Sequence, residues 1–143
     1  MFSRKMSFMK RTPFKRIISE VPQQEAHDGV GLRRVLLSSD LPIAKNLQAM
    51  THGIMKPRTS LGWHLHDDKD EVILLIRGNG VVHIDGGESL PCAAGDVLYI
   101  PAGNRHRIEN LSDSELEEFF FRVFAEAGEQ SSAADRPDGR RLA

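Results

Sequence analysis

Cysteine is the scarcest resource in this chain. Cys92 is the only one among 143 residues, so no disulfide can form within the chain and a cross-linked secreted scaffold is excluded. A reducing, cytoplasmic setting is the simplest expectation. In its Leu90–Ala93 context Cys92 reads as a small buried hydrophobe, with a reactive thiol as the sharper alternative. Long apolar runs are missing too: nothing approaches the ~20 residues that a membrane-spanning helix needs. Net charge is also small. Nineteen Lys and Arg against twenty Asp and Glu leave −1, which removes the field on which nucleic-acid binding rests. Helical periodicity is scarce throughout, and no helix-turn-helix pattern appears. The expected partner is therefore a small-molecule substrate, with no nucleic acid and no membrane.

The length fits one domain. Residues 1–16 carry Arg4, Lys5, Lys10, Arg11, Lys15 and Arg16 without an acid. No apolar core follows, as a secretory signal would require. This reads as a solvated arm, with an anionic partner as the alternative. The stretch 128–143 is rich in Ala, Ser, Asp, Gly and Arg and has no apolar periodicity. The expected organisation is a partly disordered basic arm over 1–30, a barrel domain over 31–125 and a disordered tail over 126–143.

Between the ends, short apolar segments alternate with turn residues. Candidate strands cover 33–37, 47–54, 63–66, 71–77, 81–84, 97–100, 106–110 and 116–124. Gly78-Asn79-Gly80 and Asp85-Gly86-Gly87 are hairpin signals. The run 71–77 is apolar without interruption after Glu71, as in a strand buried on both faces. Eight or nine strands at this spacing predict an all-β sandwich or barrel.

His64 and His66 stand two apart on a candidate strand, so both rings leave the same face. Glu71 follows a polar loop, Asp67 to Asp70, whose plain role is solvation and whose sharper one is gating. His106 follows the Pro101-Ala102-Gly103 turn. Imidazole and carboxylate together suit a first-row divalent cation. A lone His-x-His is weak evidence, but the wider pattern is specific. Residues 62–78 read Gly62-Trp63-His64-Leu65-His66, four residues, Glu71, six residues, Gly78. Residues 95–110 read Gly95, five residues, Pro101-Ala102-Gly103, two residues, His106, three residues, Asn110. These stretches resemble the two motifs of the cupin family, and the resemblance covers about residues 47–123. Where the family's first motif opens on a glycine, six residues before its first histidine, this chain has Arg58. A side chain there resists φ > 0, so the turn is expected to differ in shape.

The resemblance implies a cupin-type double-stranded β-helix, or jelly-roll barrel. It also implies one metal ion per chain on His64, His66, Glu71 and His106, with Fe²⁺ favoured and Mn²⁺, Ni²⁺, Co²⁺ or Zn²⁺ as alternatives. Four protein ligands leave positions open for substrate, and Glu71 is also the candidate catalytic residue. The implied function is a mononuclear metal enzyme acting on a small polar molecule, an oxidoreductase of dioxygenase type. The alternatives are a lyase or isomerase, or a non-catalytic ligand-binding module. Small members of this family often pair, so a homodimer is expected.

For the pocket wall, His52, Tyr99, Phe121 and Arg122 are the candidate substrate-binding residues, with Met50 and Phe119 as further apolar candidates. Each depends on strand parity, which sequence does not fix to one residue. Arg122 would pair a substrate carboxylate if it points inward. Trp63 and Leu65 alternate with the histidine pair and should face away from the metal. His27 and His83 read as surface residues, and Asn110 as a residue that ties a turn through its side chain.

Overall fold

The computed structural model describes residues 11–125. The expected arm lies partly outside that range, and the expected tail wholly outside it. After a 3₁₀ turn at Ile18–Glu20, nine strands follow: β1 Gln24–Ala26, β2 Gly31–Ser38, β3 Leu47–Met55, β4 Lys69–Arg77, β5 Asn79–Ile84, β6 Leu90–Ala93, β7 Val97–Ile100, β8 His106–Asn110 and β9 Leu116–Phe124. They form a six-stranded sheet in the order β1-β2-β3-β9-β4-β7 and a three-stranded sheet in the order β6-β5-β8. Every pairing is antiparallel. The fold is the all-β jelly roll that was expected.

The core explains the layering. Met55, Ile73, Leu75, Leu98, Ile100 and Leu116 from the large sheet meet Val82, Cys92 and Ile108 from the small one in a single buried cluster. Side chains alternate across a strand, so one face of each sheet supplies this cluster and the other faces out. Burying one such Leu or Ile contributes roughly 1.5–3 kcal/mol. Cys92 is part of this cluster and free of any disulfide, as its apolar surroundings in the sequence suggested.

Three sequence expectations change here. The run after Glu71 is not a strand buried on both faces: Glu71, Ile73 and Leu75 are buried, whereas Ile76 is 42 % exposed. A period of two is concealed because the outward positions are apolar as well. Residues 63–66 form no regular strand; His64 makes an isolated antiparallel bridge to His106. The sheet also begins before residue 31, since β1 pairs with β2 through Gln24, Glu25 and Ala26.

Two turn positions bear on the site. Gly78 has φ +88°, and a Cβ there would lie 2.8 Å from the carbonyl oxygen of Glu115, so the β4–β5 hairpin admits only glycine. Arg58 adopts φ 54°, the left-handed conformation that favours glycine, so its side chain does enter the region it was expected to resist. Its Nε donates to Asp113 Oδ1 at 2.9 Å, which anchors the side chain outside the turn. Asn110 ties the loop between β8 and β9, donating to Ser114 O at 2.8 Å and accepting from Ser112 N at 3.0 Å.

Candidate metal centre

The four residues expected to bind metal come together inside the barrel. His64 and His106 exchange backbone hydrogen bonds of 3.0 and 2.9 Å, which sets their rings 4.4 Å apart. His66 lies 5.4 Å from the His64 ring and 6.1 Å from that of His106. Gly103 N donates to His66 O at 2.8 Å, so the corner after β7 holds the histidine pair in place. Glu71 enters from β4, with Oε1 3.3 Å from His106 Nε2 and Oε2 3.5 Å from His66 Nε2. One ligand atom from each residue can be chosen so that all lie within 4.8 Å of one another.

The hydrogen-bond pattern fits a cation at the centre of this group. His64 Nδ1 lies 2.9 Å from Gly62 O, and His106 Nδ1 lies 2.8 Å from Asn104 O. A carbonyl only accepts, so each Nδ1 carries a proton, which turns Nε2 of both rings toward the centre. His66 Nε2 is buried and makes no hydrogen bond. Such an orphan is costly unless a ligand completes it. Two imidazoles held by their Nδ1 protons, a third whose Nε2 faces Glu71 Oε2 without a hydrogen bond, and the carboxylate itself make a donor set that could hold a divalent transition metal.

Glu71 is 2 % exposed. Burial alone would raise its pKa, but contacts from His106, His66 and Arg122 outweigh burial and hold the carboxyl well below the usual range. It is therefore ionised, as a metal ligand must be. Burial lowers His64, assisted by the neighbouring His106, against the Gly62 carbonyl and Glu71. Burial also opposes charge on His106, yet the Glu71 hydrogen bond prevails and raises it. The Glu71–His106 contact thus favours a shared proton that a metal ion would replace.

A cavity of about 40 Å³ is lined by His64 and Glu71 of the cluster and by Thr51, Gly53 and Glu118. Arg122 lines it, and its Nε donates to Glu71 Oε2 at 3.0 Å. Of the expected substrate-binding residues, Arg122 is the one that faces this space. Phe121 does not: it pairs with Val72 and Met50 on the outer face, and Phe120 lines the cavity instead. Tyr99 is 58 % exposed, and its hydroxyl donates to Asp70 on the outside of the sheet. His52 packs on the Phe119 ring at 5.2 Å, with Nε2 3.7 Å from Glu117 Oε1, again away from the cavity. Met50 and Phe119 share that parity, since Met50 pairs with Phe121 and Phe119 with His52. Trp63 and Leu65 are 39 % and 44 % exposed, facing away from the cluster as expected.

Among the polar side chains of the cavity, sequence reasoning overlooked four: His27, Arg33, Thr51 and Glu118. His27, expected at the surface, sits in the β1–β2 turn with its ring 6.2 Å from that of His64. Nothing in the sequence marks that approach. Glu118 did leave a signal, because it lies four residues before Arg122 on one strand and must share its face.

The cupin domain family model matches residues 51–121, the stretch that carries both motifs and all four clustered residues. The chain is a cupin. It is 38 % identical over 63 residues to an oxalate-binding protein of Thermotoga maritima, covering 44 % of this chain and 51 % of that protein. It is 34 % identical over 67 residues to a Streptomyces cyaneus protein named polyketide synthase CurC, covering 47 % of this chain and 43 % of that one. The matches thus span about half the length of these curated relatives. Among solved structures, a Thermotoga maritima protein described as a predicted oxalate decarboxylase superposes with a TM-score of 0.72 at 25 % identity. That match covers 78 % of this cupin and 100 % of the other chain. No helix among the described residues is long and apolar enough to cross a membrane.

Proposed function

We propose that this cupin holds one divalent first-row metal on His64, His66, Glu71 and His106 and uses it to bind and transform a small carboxylate. The observation that carries this reading is the arginine pair. Arg122 and Arg33 line the cavity that leads to the cluster, and Arg122 is fastened to the ligand Glu71. Positive charge beside an anionic metal ligand suits an anionic substrate. Relatives named for oxalate binding and described as a predicted oxalate decarboxylase belong to the same chemical class.

When bound, the metal supplies Lewis-acid polarisation of an oxygen ligand and, if it is iron, electrons for dioxygen. The chain itself supplies the rest. Arg122 orients the carboxylate and keeps Glu71 ionised, Thr51 offers a hydroxyl, and Phe120 and Leu61 keep the cavity walls dry. Oxidation by dioxygen on Fe²⁺ is the finer reading, with a lyase or isomerase reaction on the same ligands as its alternative. A non-catalytic carboxylate-binding module is the second reading, favoured by the name of the oxalate-binding relative. Comparing carboxylate turnover with and without dioxygen separates these three outcomes. We place the reaction in the cytoplasm, on the strength of the lone free Cys92.

The binding claim has a direct check. Calorimetric titration of metal-loaded protein with oxalate and malonate should show saturable binding, and Arg122→Met should weaken it by about ten- to a hundredfold. That range corresponds to the roughly 1.5–3 kcal/mol of a charge-assisted hydrogen bond. Unchanged affinity in Arg122→Met would contradict the reading.

A further inference from the structure

Glu118 is a charged residue type in a place that does not suit charge. It is 2 % exposed, on β9, between the buried Leu116 and the cavity residue Phe120. Its Oε2 is buried and has no hydrogen-bond partner, and no ion pair reaches it among the described residues. The one strong cation on its own strand face, Arg122, is bonded to Glu71. The titratable and charged groups around it are Glu71 from β4, Cys92 from β6, Arg33 from β2, and His27 and His64 across the cavity. The acid has no role in the metal cluster: it sits four residues from Arg122, opposite Leu75 rather than Glu71.

A second feature of the same spot is Gly53. It lies inside β3, paired with Arg33 on one side and Glu118 on the other. Its φ is ordinary, so the backbone does not require glycine there. A Cβ at this position would stand 3.5 Å from Glu118 Oε1 and 3.1 Å from Phe120 Cε2. A glycine inside a strand commonly marks close approach by a ligand or another backbone. Here the missing side chain leaves open the space beside the Glu118 carboxyl.

We propose that Glu118 is a neutral carboxylic acid in the wall of the cavity, where it donates a hydrogen bond to an oxygen of the bound ligand remote from the His/Glu cluster. It would thereby select small dicarboxylates over monocarboxylates of the same length. This rests on the carboxylate reading above and adds the residue that recognises the far end of the ligand. Burial, with the negative charge of Glu71 adding to it, pushes Glu118 up to about 8. At neutral pH the group is a donor; when ionised, it repels a second carboxylate.

The test titrates metal-loaded full-length protein with malonate and with propionate, which differ in the far carboxylate. Wild type should bind malonate at least tenfold more tightly than propionate at pH 7. Its malonate affinity should fall severalfold between pH 7 and pH 9, as the buried Glu118 carboxyl ionises. Glu118→Gln keeps a neutral donor, so its malonate preference should persist and lose the Glu118-dependent fall. Glu118→Met removes the donor and should narrow the malonate preference at least severalfold, to what chelation of the metal by malonate alone supplies. Gly53→Ala leaves the carboxyl intact, covers its open side, and should weaken malonate more than propionate. As a readout apart from ligand binding, the wild-type minus Glu118→Gln infrared difference spectrum should show a protonated carboxylic acid at pH 6 that ionises near pH 8. Equal malonate preference in wild type and Glu118→Met, or an equal fall with pH in Glu118→Gln, would overturn the inference and leave the carboxylate reading standing. Failure of fully metal-loaded wild type to bind either acid would overturn both.

Discussion

Glu118 is also the residue with the clearest consequence for stability. Its pKa rises from an ordinary 4.5 in the open chain to about 8 in the fold. The fold therefore binds the proton more tightly, and the stability that comes with it is fully present below pH 4.5 and lost as pH rises through 8. The span corresponds to at most roughly 5 kcal/mol, at about 1.4 kcal/mol per pH unit. Between pH 5 and 8 the melting temperature of wild type should fall relative to that of Glu118→Gln. The comparison cancels His106, whose raised pKa acts in the same direction. Parallel melting curves for the two proteins would show that Glu118 titrates normally. At this scale the clustering of His64, His66, Glu71 and His106 was legible, because their spacing is tied to two motifs with fixed turns. Arg58 was legible as a departure, but its outcome was not. The backbone accepts φ 54° there with the side chain anchored on Asp113, a partner 55 residues away that no local pattern announces.

Strands carry the next level of the argument, and parity decides most of it. Phe121 and Arg122 are neighbours on β9, so a strand allows only one of them to face the cavity. Arg122 takes that place, which puts Glu118 and Phe120 inside and sends Phe119 and Phe121 out. The sequence could not choose, because β9 offers phenylalanine at three consecutive positions and either register buries an aromatic. The ends of strands were readable from glycine, proline and asparagine, whereas β4 hid its alternation behind outward-facing Val72, Leu74 and Ile76. The same geometry separates core from site. Leu116 is fully buried where both sheets meet, on the same strand as Arg122. Leu116→Ala should cost about 2–5 kcal/mol in denaturant unfolding while leaving metal stoichiometry intact at low temperature. Loss of metal without loss of stability would mean that β9 positions the cluster more directly than its contacts indicate.

For the whole molecule, the outer face of the large sheet is the open question that β4 and β7 raise. Val97, Tyr99 and Ile76 are 65 %, 58 % and 42 % exposed, and β7 is an edge of that sheet. Apolar residues along an edge invite a partner, and we propose that a second copy of the chain covers them. Light scattering should return twice the 16.0 kDa chain mass, and Val97→Lys should return it to one. A wild-type monomer at micromolar concentration would contradict the pairing. The expectation of a pair came only from the family likeness, because sequence periodicity placed β4 inside on both faces and so hid its exposed apolar side.

Everything proposed for this cupin depends on the cluster holding a metal, and elemental analysis of freshly purified protein tests that most directly. The geometry predicts one first-row transition metal ion per chain in wild type. It also predicts loss of most of that metal in His106→Ala, because this removes a buried imidazole whose Nδ1 is already fixed on Asn104 O at 2.8 Å. Metal-free wild type after exposure to Fe²⁺ and Mn²⁺, or full occupancy in His106→Ala, would contradict the account.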